Sequence, residues 1–177
     1  VQGRGTFVAE ARVAQAAALS SFTEDMRARG LKPGSQVLGQ GTIPADDLVA
    51  RRLEVEPGTP VVRIRRVRTA DGEPMALEEA FLPADRFGAL AGEEPLEGSL
   101  FTMLEERFGA RFPSADQRVV ACEIVGEDAN LLRVAPGRAG LKFHTVLIDA
   151  DERPVAYAWS LFRGDRYEIR LRQERRP

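Results

Sequence analysis

Residues 50–87 read ARRLEVEPGTPVVRIRRVRTADGEPMALEEAFLPADRF, and residues 129–167 read ANLLRVAPGRAGLKFHTVLIDADERPVAYAWSLFRGDRY. One single-residue insertion aligns the two stretches. Ala50, Leu53, Val55, Pro57 and Gly58 match Ala129, Leu132, Val134, Pro136 and Gly137. Beyond the insertion, Ala70, Asp71, Pro74, Asp85 and Arg86 match Ala150, Asp151, Pro154, Asp165 and Arg166. Each copy runs from a short helical pattern through Pro-Gly into two β-rich runs, the punctuation of a helix followed by a hairpin. Two copies of one scaffold provide an internal control. What both share is structural, and charge present in only one copy is a candidate for function.

Outward from the repeat, further elements are legible. Ser20 and Ser21 offer an N-cap for a helix over Phe22–Arg29, with Glu24 and Asp25 in its first turn, where the helix dipole favours negative charge. Gly30 stops it and Pro33-Gly34 prevents resumption. Ser35–Ile43 reads as a strand. A second helix begins at Pro44-Ala45-Asp46-Asp47 and is ended by Pro57-Gly58. The first hairpin pairs Val61–Thr69 with Met75–Leu82 around Asp71-Gly72, a strong turn signal, and Pro83 closes it. Ser99 caps a helix over Leu100–Phe108. Then follow a strand at Val119–Val125, a helix at Asp128–Val134, the second hairpin (Phe143–Ile148 and Val155–Phe162) and a last strand at Tyr167–Leu171. The implied fold class is α+β: an antiparallel sheet with helices packed on it, built from two pseudo-repeated helix–hairpin halves.

Composition narrows the function classes. The 177 residues are 44 % hydrophobic and 29 % charged, ordinary for a chain that buries a sizeable core. A net charge of −2 gives no global attraction to nucleic acid. One cysteine, Cys122, and one histidine, His144, exclude an intrachain disulfide and a cysteine- or histidine-cluster metal site. No apolar run reaches the roughly 20 residues that span a bilayer, and no signal-peptide pattern opens the chain. No metal, cofactor or membrane partner is expected. The first eight residues, VQGRGTFV, read as a tight turn leading into a strand, 9–20 as a linker or short helix, and Arg172–Pro177 as a frayed tail.

The strand Val61–Arg68 carries four arginines. Val62, Ile64, Arg66 and Arg68 share one face, and Val61, Arg63, Arg65 and Val67 the other. Both faces mix apolar and basic residues, so periodicity does not choose the inner one. The repeat is more informative. Arg66 aligns with Thr145 or Val146, Arg68 with Leu147 or Ile148, and Glu78 with Ala158, so the second hairpin lacks the Arg–Arg–Glu group of the first. A three-residue loop sets Arg66 across from Glu78, whereas a two-residue Asp-Gly loop sets Arg65 there; the sequence permits both. Two arginines two residues apart suit an anion, because guanidinium forks match phosphate or carboxylate oxygens and stay charged. The helix starts at Ser21-Phe22-Thr23 and Ser99 could add hydroxyl and backbone N–H donors. An enzyme is harder to build: Glu78 has no matched acid, and His144, Cys122, Tyr157 and Trp159 read as packing residues.

Four segments in order, GRGTFV (3–8), SFTEDMRARGLKPGSQVL (21–38), RVRTADGEPMALEEAFLP (66–83) and LFRGDRYEI (161–169), resemble the effector-binding (UTRA) domain of HutC-type GntR transcriptional regulators, whose fold is shared with chorismate lyase. The resemblance implies the end of a DNA-binding wing at 1–8, a linker at 9–20 and an effector domain at 21–177. It also implies a homodimer in the cytoplasm, and operator binding through an N-terminal winged-helix module almost wholly outside this sequence. In phosphosugar-responsive members the phosphate is held at positions matching Phe22, Thr23, Arg66, Arg68 and Ser99, and a carboxylate matching Glu78 contacts the sugar. Three positions depart from that pattern. Phe101 and Phe162 stand where tyrosines are expected, and Ala156 where a second sugar-contacting carboxylate is. The implied effector is therefore a small anion, a sugar phosphate other than the usual amino-sugar phosphate or a related metabolite. An enzyme of chorismate-lyase type and a dimerisation module with a degenerate pocket are the alternatives.

Overall fold

The two copies of the repeat fold into two equivalent units that meet at the centre of one sheet. The structure, a computed structural model, describes residues 13–15 (main chain) and 19–169. In chain order the elements are β1 (Val13–Gln15), α1 (Phe22–Ala28), β2 (Pro33–Pro44), α2 (Asp47–Leu53), β3 (Pro60–Ala70), β4 (Glu73–Pro83) and α3 (Ala84–Phe87). A 3₁₀ turn at Gly88–Gly92 follows, then α4 (Leu100–Phe108), β5 (Ser114–Ile124), α5 (Gly126–Leu131), β6 (Arg138–Ile148), β7 (Pro154–Arg163) and β8 (Tyr167–Ile169). The expected turn at 1–8 and tail at 172–177 lie outside the described residues.

Six strands form an antiparallel sheet in the order β2-β3-β4-β7-β6-β5. The first half supplies β2-β3-β4 and the second β5-β6-β7, so β4 and β7 meet in the middle. There Glu79 pairs with Trp159, the residue the repeat makes its equivalent, so a pseudo-two-fold axis passes through that pair. The copies agree in hydrogen-bond detail. Val55 N–H donates to the Ala50 carbonyl and Val134 N–H to that of Ala129, each at 3.0 Å. Gly58 N–H reaches the Ala45 carbonyl and Gly137 N–H that of Ile124, each at 2.8 Å. Both Pro-Gly pairs sit in type II turns, with φ of 85° at Gly58 and 84° at Gly137, the left-handed position where glycine carries no steric penalty. Helix α2 itself ends earlier than Pro57-Gly58: Glu54 takes a left-handed C-cap at φ 56°, and its equivalent Arg133, one residue past the C-cap of α5, is left-handed as well at φ 53°.

Both faces of the sheet are covered, which is why neither face of β3 alternates cleanly between apolar and polar. Helices α2 and α5 pack side by side on one face, through Val49, Ala50 and Leu53 against Val61, Phe81 and Tyr157, and through Ala129 and Leu132 against Val67, Leu77 and Leu161. Helices α1 and α4 lie over the other. Met26 meets Ala76, Phe143 and Phe162, while Leu100, Met103 and Leu104 meet Val62, Ile64, Ala80 and Leu147. Each of these two is opened by a serine N-cap. The Ser21 hydroxyl accepts from Glu24 N–H at 3.2 Å and the Glu24 carboxylate returns the bond to Ser21 N–H at 2.8 Å, a full capping box. The Ser99 hydroxyl accepts from Thr102 N–H at 3.2 Å.

Several expectations shift. Strands β2, β5 and β6 are longer than read, α5 starts two residues earlier, and α3 and the 3₁₀ turn were not foreseen. Val13–Gln15, inside the stretch read as linker or helix, is a strand paired in parallel with Tyr167–Ile169. This pair stands apart from the main sheet and packs the Tyr167 ring against Phe143 and Phe162.

Candidate functional site

The face of β3 that points toward α1 and α4 carries Val62, Ile64, Arg66, Arg68 and Ala70, all buried. Arg66 and Arg68, 1 % and 2 % exposed, head the fully buried side chains by volume among the described residues. The hairpin register that places them combines both options left open by the sequence. The turn is the two-residue Asp71-Gly72, with φ of 50° and 83°, the type I′ geometry that suits Asp-Gly. A β-bulge then shifts the pairing: Thr69 faces Pro74, Arg68 faces Ala76, and Met75 is the extra residue. Arg66 is thereby set across from Glu78 and Arg65 across from Glu79. The second hairpin has the same bulge at Val155, since Leu147 faces Ala156 and Ile148 faces Pro154. That confines the insertion to the second turn and makes Thr145 and Leu147 the counterparts of Arg66 and Arg68.

A single cavity between this face and helices α1 and α4 is lined by all nine of the singled-out residues: Phe22, Thr23, Arg66, Arg68, Glu78, Ser99, Phe101, Ala156 and Phe162. Arg66 forms an ion pair with Glu78, donating from both Nε (3.1 Å) and Nη2, and its Nη1 reaches the carbonyls of Leu96 (3.1 Å) and Gly98 (2.8 Å). Arg68 donates from Nη1 to the Gly98 carbonyl (3.0 Å) and from Nη2 to the Thr23 hydroxyl (2.8 Å), and its guanidinium lies 4.8 Å from the centre of the Phe22 ring. The Arg68 Nε–H is buried without a partner.

The electrostatics are unbalanced. Two buried guanidiniums share one carboxylate. Burial, then the neighbouring Arg66 charge, push the Arg68 guanidinium down to about 10, so it remains charged at neutral pH. Burial alone would raise the Glu78 carboxyl, but the Arg66 and Arg68 charges and the Arg66 hydrogen bond together hold it below the ordinary carboxylate value of 4.5. Its folded pKa lies below its unfolded one, so the pairing contributes stability that is complete above the unfolded value and is lost as pH falls through the folded one. In urea titrations below pH about 4.5, Glu78→Gln is expected to flatten the acid loss of stability by up to about one proton relative to wild type. Parallel pH profiles for the two proteins would contradict the pairing.

Beyond the guanidiniums the cavity becomes apolar. Ala156, Ala158, Leu147 and Phe143 form its floor on the sheet, and Leu100 and Phe101 its roof. Phe101 is held edge-to-face on Phe112, with centroids 5.1 Å apart, and Phe162 stacks on Tyr167 at 4.0 Å, so neither ring is loose. Polar groups on this side are Ser160 and a linked pair in which Gln117 donates to the Thr145 hydroxyl at 3.1 Å.

Three contributors were missed from sequence. Asp25 lines the cavity; burial raises its carboxyl, partly offset by the Ser20 hydroxyl at 2.5 Å and the Arg29 charge. A first-turn acid reads as a dipole partner, so nothing distinguished it. Leu96 and Gly98 act through main-chain carbonyls, for which side-chain chemistry carries no signal. His144, Tyr157 and Trp159 lie on the opposite face. The His144 Nδ1 and Tyr157 hydroxyl are 2.8 Å apart beside α2, and Lys142 sits 4.4 Å over the Trp159 ring. Burial raises the Cys122 thiol, consistent with an unreactive strand residue.

The UTRA domain family matches residues 28–168. The chain belongs to that family. The UTRA chain is 32 % identical over 168 residues to the HTH-type transcriptional repressor NagR of Bacillus subtilis, covering 94 % of this chain and 69 % of that one. It is 31 % identical over 165 residues to the HTH-type transcriptional repressor PhnF of Mycolicibacterium smegmatis, covering 93 % and 67 %. The crystal structure of the PhnF effector domain superposes with a TM-score of 0.85 at 28 % identity, over 92 % of this chain and all of that one. The α+β architecture and the regulator family read from the four segments are thus those of its relatives, which are named as transcriptional regulators rather than enzymes. No helix among the described residues is long and apolar enough to cross a membrane.

Proposed function

We propose that this UTRA chain is the ligand-sensing and dimerising part of a cytoplasmic transcriptional regulator, and that it binds a small anionic effector, a sugar phosphate or related metabolite, in the cavity between the sheet and helices α1 and α4. The observation that carries the reading is the pair of buried arginines served by one carboxylate. A surplus buried cation is costly unless something anionic completes it, and perturbed charges in a cleft mark functional sites. Thr23 and Ser99 supply hydroxyls beside the guanidiniums, and Phe22 covers Arg68. The neighbouring apolar floor at Ala156 and Phe162 favours a body with fewer hydroxyls than an amino sugar. An effector that prefers one conformation of the dimer shifts its population and, through it, the spacing of the DNA-binding modules, as expected for relatives named HTH-type repressors. Turnover is not part of the reading, since Glu78 is committed to Arg66.

The test is a calorimetric and thermal-shift comparison of sugar phosphates with their unphosphorylated sugars. Phosphorylated compounds should bind and raise Tm, because a ligand specific for the folded state stabilises it by mass action. Equal responses to both members of each pair, or none to any anion, would overturn the proposal in favour of a dimerisation module with a non-binding pocket.

A further inference from the structure

Most of the guanidinium donors that would grip an anion are already taken, and by the chain itself. The Gly98 carbonyl oxygen accepts from Nη1 of both Arg66 and Arg68, at 2.8 and 3.0 Å, and the Leu96 carbonyl takes a further bond from Arg66 at 3.1 Å. A backbone oxygen thus sits between the two guanidiniums, where an oxygen of a bound phosphate or carboxylate would have to sit. The segment that carries it, 93–98, runs between the 3₁₀ turn and α4 and is mostly exposed. Two tethers hold it down. The Gln40 amide, on strand β2, donates to the Leu90 carbonyl at 2.6 Å and accepts from Leu96 N–H at 3.0 Å. Glu93 is paired with both Nη atoms of Arg107 on α4, at 2.5 and 2.7 Å.

We infer that residues 93–98 form an internal plug, with the Gly98 carbonyl as a surrogate anion, and that anion binding requires this segment to withdraw. The inference rests on the anion-site reading above. The plugged state satisfies the surplus positive charge in the absence of ligand. It also lowers apparent affinity by the fraction of molecules in which the site is free. Because Gly98 adjoins Ser99, the N-cap of α4, withdrawal moves the start of that helix, so occupancy of the cavity is converted into displacement of a helix that packs on the sheet. Segment 93–98 is the element with two arrangements that a sensing domain needs.

The test uses the whole chain, with inorganic phosphate as probe, and compares wild type with Gln40→Ala and Glu93→Gln. Neither substituted residue lines the cavity. Both variants loosen the plug, so both should bind phosphate more tightly. Gln40→Ala should do so by about threefold to tenfold, the equivalent of one or two ordinary hydrogen bonds. In wild type, saturating phosphate should speed hydrogen exchange at the Leu96 amide, whose partner is Gln40. A variant that merely damaged the fold would bind less tightly and melt lower, and that result in both variants overturns the inference. So does phosphate binding that leaves Leu96 exchange and the affinities of both variants unchanged; the anion site itself would survive that outcome. Absence of phosphate binding in all three proteins overturns the plug and the anion site together.

Discussion

Arg68→Met is expected to weaken binding of a phosphorylated ligand by about a hundredfold while leaving the protein as stable as wild type or more so. The two effects have opposite signs for one reason. Arg68 is 2 % exposed, has no carboxylate of its own and leaves its Nε–H unpartnered. An apolar side chain of similar length removes the desolvated charge and keeps the packing against Phe22, and such replacements of buried ions are commonly neutral or stabilising. The ligand, however, loses two charge-assisted hydrogen bonds of about 1.5–3 kcal/mol each, partly compensated by Arg66; about 3 kcal/mol is close to two decades in Kd. Calorimetry and urea denaturation on the same preparation measure both. A variant that binds as well as wild type removes Arg68 from the anion site, and one destabilised by more than about 3 kcal/mol shows that Arg68 is there for the fold.

Arg66→Met should behave in the opposite way, with a loss of about 3–5 kcal/mol of folding stability, because one partner of a buried pair is removed and the other stranded. Glu78 would keep its burial, the largest influence on its carboxyl, and lose the charge and hydrogen bond of Arg66, leaving only Arg68 to oppose it. The Leu96 carbonyl would lose its donor and the Gly98 carbonyl one of two. The double variant Arg66→Met with Glu78→Leu should recover much of the loss, since it leaves no unpaired charge. Urea curves for the single and double variants decide the matter. If the double variant is no more stable than Arg66→Met alone, the ion pair is not the source of the cost. The contrast between two arginines two residues apart on one strand is itself diagnostic, since Arg66 is anchored to Glu78 and Arg68 is the cation left over.

Local chemistry announced much of this. The serine N-caps at 21 and 99, the Asp71-Gly72 turn and the two Pro-Gly turns depend on interactions within a few residues, and each was found where sequence placed it, apart from the end of α2. Two copies of one pattern also announced two equivalent halves. The register was not legible. A one-residue bulge at Met75 gives no compositional sign, yet it decides whether Arg65 or Arg66 meets Glu78. The identity of the inner face was hidden as well, because helices cover both faces of the sheet and even the inner one carries arginines.

By itself, then, the sequence determined the repeat, the α+β plan, the places of the turns and the one-sided placement of Arg66, Arg68 and Glu78, because these follow from short-range geometry and from comparing one half of the chain with the other. The tertiary structure alone decided that the nine singled-out residues share one cavity, that two guanidiniums are buried with a single carboxylate, and that the Gly98 carbonyl stands between them. Those facts depend on which elements are brought together from distant parts of the chain, as in Arg66 to Leu96 and Phe22 to Phe162. A main-chain oxygen is the same in every residue, and only its position in space makes it a partner for Arg66 and Arg68.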